Sequence, residues 1–92
     1  MLTPDQFGAA CRVYCLRMSC SVTSGFRTLL RNQEIGGKDD SWHLIGLAKD
    51  VVYDHGLPDR DVAMKVARPL GLFVYVAAGY KHHHLRPLKD GE

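Results

Sequence analysis

The segment SWHLIGLAKD, residues 41–50, constrains the fold of this chain most, because it places His43 seven residues before Asp50. Imidazole and carboxylate groups are both common ligands of zinc. On one continuous helix, this spacing would separate the two side chains by two turns, a rise of about 10.5 Å. They can therefore bind one metal ion only if the chain folds back between them, and Gly46 supplies the backbone freedom for such a turn.

A run of histidines follows in KHHHLRP, residues 81–87. If this segment is a strand, His82 and His84 lie on one face and His83 on the other, because side chains alternate along a strand. An H-x-H pair on a strand brings two imidazoles within reach of one ion. Such a pair is also common as exposed or hydrogen-bonded side chains, so the pattern alone does not establish a metal site.

One histidine of this pair could join His43 and Asp50 at a single zinc ion. Three protein ligands leave the fourth zinc position open, which is the catalytic arrangement. A closed site with four protein ligands would instead indicate that zinc only stabilises the fold. The sequence leaves both arrangements possible.

The composition describes one small domain, residues 1–92, with 46% hydrophobic and 24% charged residues. A net charge of +2 is too small to argue for nucleic-acid or membrane binding. No apolar run approaches the roughly 20 residues that span a bilayer. We expect a monomer with no nucleic-acid partner and no membrane insertion, whose modest core gains folding free energy from a bound metal.

The amino-terminal segment MLTPDQFGAA lacks the basic and apolar regions of a signal peptide. We therefore expect synthesis in the cytoplasm. The cysteines are Cys11, Cys15 and Cys20, and an odd number without a signal peptide argues against a disulfide framework. Cys11 and Cys15 are one helical turn apart, which favours two small core residues over metal ligands.

Hydrophobic spacing and turn residues predict an α+β fold, with helices packed against a small, mostly antiparallel sheet. Thr3 or Asp5 is expected to cap the first helix, and Asp59 a later one. The remaining expected elements, in chain order, are a strand at 21–26, a short helix at 27–35, a loop at 36–41, a strand at 48–53, a helix from 60 that ends near Gly71, and a hairpin of strands at 72–76 and 81–86.

Three motifs, SGFRT, SWHLIGLAKD and HHHLR, occur in this order between residues 21 and 87. Together they resemble the zinc-dependent D-Ala-D-Ala metallopeptidases of the M15 family, whose fold is shared with the amino-terminal domain of hedgehog proteins. The family pattern is S-G-[FY]-R, then S-x-H-x-x-G-x-A-x-D, then H-x-H or E-x-x-H. The resemblance implies the hedgehog/DD-peptidase fold and one zinc ion per chain.

The resemblance also implies roles for individual residues. His43 and Asp50 would be zinc ligands, and His84 would be the third ligand. His82 would lie beside the bound water as the catalytic residue; the alternative is that His82 is the ligand. Members with E-x-x-H carry a catalytic glutamate three residues before the ligand, and here that position is Lys81.

Two further residues match the substrate-binding part of the family motifs. Arg27 would receive a carboxylate or carbonyl of the substrate, since a guanidinium binds a carboxylate through two parallel hydrogen bonds. Ser41 would hydrogen-bond the substrate or orient its loop. Without the resemblance, Arg27 could be a surface arginine at a helix start and Ser41 a simple loop serine.

The implied function is a zinc metallopeptidase that hydrolyses D-amino-acid-containing bonds in peptidoglycan stem peptides of the bacterial cell wall, as a carboxypeptidase or an endopeptidase. A compact enzyme of this kind suits phage lysis, as an endolysin, or a phage tail, so it would act on the wall after release or within a particle. One alternative is a non-catalytic zinc-binding domain that binds a peptide or partner, which the absent glutamate favours. Another is a structural domain with a closed zinc site.

Overall fold

A computed structural model describes residues 1–24, 47–76 and 82–92 of the chain, with the side chain of Ser24 excepted. The predicted short helix at 27–35 and the predicted loop at 36–41 lie outside the described residues. The described parts contain the metal-ligand candidates Asp50, His82 and His84 and the elements that position them.

The described residues form two α-helices, one 3₁₀ turn and four strands. In chain order these are α1 (Pro4–Met18), β1 (Cys20–Ser24), β2 (Lys49–Tyr53), α2 (Arg60–Ala67), the 3₁₀ turn (Arg68–Leu70), β3 (Leu72–Tyr75) and β4 (His83–Pro87). The strands make one sheet in the order β1-β2-β4-β3, and every described pairing is antiparallel. The predicted α+β class and the predicted hairpin of β3 and β4 are confirmed.

Helix α1 begins at a capping box. The hydroxyl of Thr3 accepts a hydrogen bond from the Gln6 backbone N–H at 3.3 Å, and the Gln6 side chain accepts one from the Thr3 N–H at 3.0 Å. Pro4 occupies the first turn, where its missing N–H costs nothing. Of the two predicted caps, Thr3 is therefore the one used. The helix ends at Ser19, whose left-handed backbone (φ 52°) directs the chain into β1.

Helix α2 begins where Asp59 was predicted to cap it. The Asp59 carboxylate accepts a hydrogen bond from the Asp61 backbone N–H at 2.8 Å. The 3₁₀ turn that follows contains Pro69 and ends at Gly71, whose φ of +82° is a left-handed conformation that favours glycine. This turn brings the chain directly into β3.

The helices and the sheet share one core. Alternation along β4 directs His83, Leu85 and Pro87 to the helix-covered face of the sheet, where all three are buried. Val51 from β2 lies on the same face. The rest of the core is Phe7, Cys11, Tyr14, Cys20, Leu47, Ala63, Met64, Ala67, Leu72 and Val74.

The cysteines belong to this core, which confirms for Cys11 and Cys15 the prediction made from their helical spacing. Cys11 is fully buried, and burial raises the pKa of its thiol to about 12. Burial likewise raises the pKa of Cys20 to about 12. Cys15 is partly buried against the same cluster, and none of the three forms a disulfide. Among the described residues, neither helix has the length and apolar character needed to cross a membrane.

Candidate metal centre

The register of the sheet brings Asp50 and His84 directly opposite each other on β2 and β4. His84 Nδ1 lies 2.5 Å from Asp50 Oδ1. The side chain of His84 is only 6% exposed and that of Asp50 14%. Both project from the face of the sheet opposite to Val51 and His83, as the alternation of residues 48–53 and 81–86 predicted.

His82 approaches the same carboxylate from the solvent side. Its Nε2 lies 3.7 Å from Asp50 Oδ2, and its side chain is 33% exposed. The rings of His82 and His84 are 4.5 Å apart with an angle of 30° between their planes. His82 also lines an open pocket with Val52 and Leu57. His82 is therefore more accessible than His84, and it faces a concave surface.

These side chains could hold a metal ion. Asp50, His82 and His84 each offer one ligand atom, and the three atoms lie within 4.8 Å of one another. Two imidazole nitrogens and one carboxylate oxygen are a donor set that zinc accepts. The negative charge of the carboxylate also compensates part of the charge of a divalent cation. The donor chemistry and the spacing both fit zinc.

Tyr75 supports the metal-ligand candidate from the other side. The register of β3 and β4 pairs Tyr75 with His84, and their rings stack with centroids 5.1 Å apart and planes at 24°. His84 is thus held between a carboxylate and an aromatic ring. Tyr75 belongs to none of the motifs that predicted the site. Alternation in LFVYV could have assigned it to the exposed face, but its partner depends on the register of the hairpin.

His83 points to the opposite face, as predicted. Its Nδ1 and the Tyr53 hydroxyl are hydrogen bonded at 2.8 Å, and the hydroxyls of Tyr53 and Tyr14 are hydrogen bonded at 2.5 Å. His83 is only 2% exposed, and burial lowers its pKa. Burial also raises the pKa of Tyr14 to about 12. This chain of neutral polar groups belongs to the core and not to the candidate metal centre.

The other predicted site residues lie outside the described part of the chain. They are Arg27, Ser41 and His43, and the turn expected at Gly46 is outside it as well. The structure therefore brings together Asp50, His82 and His84, and the roles assigned to individual residues stay predictions.

Comparison with protein families gives one match. The family model for peptidase M15 matches residues 7–84, which is most of the chain. Comparisons with curated proteins and with solved structures give no significant match. The matched range contains α1 from Phe7 onward, the strands β1, β2 and β3, the start of β4, and the metal-ligand candidates Asp50, His82 and His84. The chain therefore belongs to the M15 family of zinc-dependent peptidases.

Proposed function

We propose that this protein is a zinc peptidase that hydrolyses D-amino-acid-containing bonds in peptidoglycan stem peptides, as a carboxypeptidase or an endopeptidase. The observation that carries the proposal is the cluster of Asp50, His82 and His84 on the open face of the sheet, in a chain of the M15 family. A zinc ion bound there would act as a Lewis acid that polarises the scissile carbonyl and makes water nucleophilic at neutral pH.

Asp50 and His84 are proposed as zinc ligands, together with His43. The support for His84 is its burial, its 2.5 Å contact with Asp50 and its stacking on Tyr75. A ligand whose orientation is fixed in advance loses little entropy when the metal binds. Asp50 is fixed as well, because it lies in β2, which pairs with β1 on one side and with β4 on the other.

His82 is proposed as the general base. The exposed fraction of its side chain is 33%, against 6% for His84, and it lines the open pocket. An imidazole can accept a proton from the attacking water and later donate it to the leaving amine. This role would replace the glutamate of the E-x-x-H members, whose position is Lys81 here.

Arg27 and Ser41 are proposed to bind the substrate. The guanidinium of Arg27 would hold a substrate carboxylate or carbonyl through two N–H groups. The hydroxyl of Ser41 would hydrogen-bond the peptide backbone or orient the loop that carries His43. Holding the peptide in place lowers the barrier, because the reacting groups no longer have to find each other from solution.

A second candidate function is a zinc-binding domain without peptidase activity. One observation favours it: both His82 and His84 lie within reach of the same Asp50 carboxylate. With His43, these residues could supply four ligands and close the site. A closed site has no open position for water or substrate, so this candidate predicts zinc binding without hydrolysis.

We propose that the chain is made in the cytoplasm and acts on the cell wall after release, as a phage lysis enzyme or as part of a phage tail.

The test is digestion of purified stem peptides, read by mass spectrometry, with added zinc and with a chelator. The same digestion would use His82→Ala and, as a matched control, His55→Ala, which removes an exposed histidine from the turn after β2. We expect cleavage that the chelator abolishes, that His82→Ala slows by about a hundredfold or more, and that His55→Ala leaves unchanged. The product masses would name the bond.

Zinc binding without cleavage would overturn the peptidase proposal and support the binding domain. X-ray absorption at the zinc edge would then distinguish the two arrangements, since a closed site shows four protein ligands and an open one shows three.

A further inference from the structure

We propose that Arg86 forms a carboxylate-binding subsite beside the candidate metal centre, that its ligand is an acidic peptide, and that Glu92 of the same chain now fills it. The origin of the ligand rests on the proposed function, since a peptidase cleft is what would deliver an acidic peptide to this face.

The guanidinium of Arg86 already binds a carboxylate. Its Nη1 donates to Glu92 Oε1 at 2.7 Å, and its Nη2 donates to Glu92 Oε2 at 2.6 Å. Two parallel N–H donors in one plane match the two oxygens of a carboxylate, a geometry that lysine cannot reproduce. The same Nη1 also donates to the Pro87 carbonyl at 2.9 Å, which helps to fix the orientation of the group.

The guanidinium is held rigidly before any ligand arrives. It lies over the Phe73 ring, 4.1 Å from the centroid, and its side chain is only 13% exposed. Phe73 is also the cross-strand partner of Arg86 in the hairpin. An arginine that is stacked on an aromatic ring loses little side-chain entropy when it binds an anion.

The subsite is continuous with the candidate metal centre. Arg86 follows His84 by two residues in β4, so both side chains project from the same face. The Arg86 guanidinium is 5.9 Å from the Tyr75 ring, and that ring stacks on His84. A peptide whose scissile bond lies at the metal centre could therefore extend along Tyr75 and place a carboxylate on Arg86.

The backbone supplies a third donor. The Lys89 N–H donates to Glu92 Oε1 at 2.6 Å, and a side-chain N–H of Arg68 donates to the Glu92 carbonyl oxygen. The hydrogen bonds from Arg86, and after them that from the Lys89 N–H, lower the pKa of Glu92 to about 2, so the carboxylate is ionised at neutral pH. The arrangement selects for a negative charge and not for a neutral amide.

Apart from the hydrogen bonds that Glu92 itself makes, the segment that carries it is weakly held. Residues 89–92 are exposed, and the backbone contacts described for the segment are the bond of Leu88 N–H to the Gly71 carbonyl and that of Glu92 N–H to the Lys89 carbonyl. Segments with few buried apolar contacts open at small free-energy cost. A carboxylate delivered by a bound peptide can therefore compete with Glu92 for Arg86.

The test measures binding and not turnover. The probes are two stem peptides with reduced CH₂–NH links that cannot be hydrolysed, identical except that one acidic side group is a free carboxylate in one and an amide in the other. Dissociation constants are measured by calorimetry on the zinc-loaded protein. We expect the acid to bind more tightly than the amide. Glu92→Ala should tighten the acid alone, by about tenfold, because it removes the internal competitor.

Two substitutions test whether the preference for the acid over the amide depends on Arg86. Arg86→Lys keeps the charge but lacks the planar fork, so the preference for the acid should fall to about twofold or less. Lys65→Gln removes an exposed positive charge from α2 and should leave the preference unchanged. Thermal unfolding of each variant confirms that it is folded. An acid preference that survives Arg86→Lys, or that Glu92→Ala does not raise, would overturn the subsite.

Cleavage of a neutral stem peptide separates this proposal from the proposed function. Zinc-dependent cleavage together with an acid preference that does not depend on Arg86 would support the peptidase and contradict the subsite. An Arg86-dependent preference without any cleavage would support the subsite and remove the peptidase.

Discussion

His83 and His84 are neighbours in β4, yet their side chains lie in different surroundings. His83 faces the helices, is almost fully buried and is hydrogen bonded to the Tyr53 hydroxyl. His84 faces the other way, contacts Asp50 at 2.5 Å and stacks on Tyr75. The residue type is the same, so the difference comes from the side chains that each face of the sheet places around the imidazole. One imidazole belongs to the core, and the other is a proposed metal ligand.

The same division holds across the two faces of the sheet. On the helix-covered face, apolar side chains surround the hydrogen-bonded chain of Tyr14, Tyr53 and His83, which leaves these polar groups paired in the core. On the open face, Asp50 and His84 are placed where an ion can reach them. The core face should therefore determine folding stability, and the open face should determine zinc binding.

The largest effect should come from substituting the two histidines in turn. His84→Gln removes a proposed ligand and should weaken zinc binding by more than about a hundredfold, since loss of an outer-shell partner alone costs about 10- to 100-fold. His83→Gln should change zinc affinity by less than about threefold but lower the free energy of unfolding by about 1–2 kcal/mol. Calorimetric zinc titration and urea unfolding measure the two quantities. Equal loss of zinc affinity in both variants would show that the two faces of β4 do not differ in zinc binding.

A second matched pair lies in β2. Val51 is fully buried and Val52 is 53% exposed, so the two valines sample the two faces from adjacent positions. Val51→Ala deletes two buried methyl groups and should lower the free energy of unfolding by about 2 kcal/mol. Val52→Ala should cost less than about 0.5 kcal/mol. Chemical denaturation of the metal-free protein checks both, and similar costs would contradict the assignment of faces.

A smaller effect is expected from the tyrosine pair on the core face. Tyr53→Phe keeps the ring but removes the hydroxyl that joins Tyr14 to His83, which should cost about 1 kcal/mol of folding free energy. Combining it with Tyr14→Phe should cost less than the sum of the single changes, because both act on the same hydrogen bond. A double-mutant cycle in urea measures the coupling. Strictly additive costs would show that the bond contributes nothing.

The smallest effect concerns pH. The hydrogen bonds of Arg86 lower the pKa of Glu92 from 4.5 to about 2, so the stability they add is complete above pH 4.5 and is lost as the pH falls towards 2. Thermal midpoints of the natural protein and of Glu92→Gln should therefore differ at neutral pH and converge near pH 2. The pair is partly exposed, so added salt should shrink the difference. A difference that is independent of pH would contradict this account.

Much of the fold was readable from local signals. Thr3 and Asp59 are residues whose side chains cap helices, and both do so. Alternation placed Asp50 and Val51 on opposite faces and separated His83 from its neighbours. These signals depend on a few neighbouring residues, so they can be recognised without knowing how the rest of the chain folds.

The register of the strands was not readable in the same way. Asp50 meets His84 because β2 pairs with β4, which is distant in sequence, and His84 meets Tyr75 because of the register within the β3–β4 hairpin. A shift of the strand register by one residue would turn each side chain to the other face of the sheet. The pairing of β1 with β2 contains such an irregularity between Val22 and Ser24. The motif resemblance supplied Asp50 and His84, but it carried no information on Tyr75 or on the contact of Arg86 with Glu92.

We expect the open face of β4 to bind zinc and its covered face not to bind it. The most direct measurement is nitrogen NMR of the imidazole rings in the natural protein, before and after one equivalent of zinc. A ring nitrogen of His84 should shift on metal binding, while those of His83 should keep their hydrogen-bonded values. Zinc binding that leaves His84 unchanged, or that perturbs His83 in its place, would contradict the account.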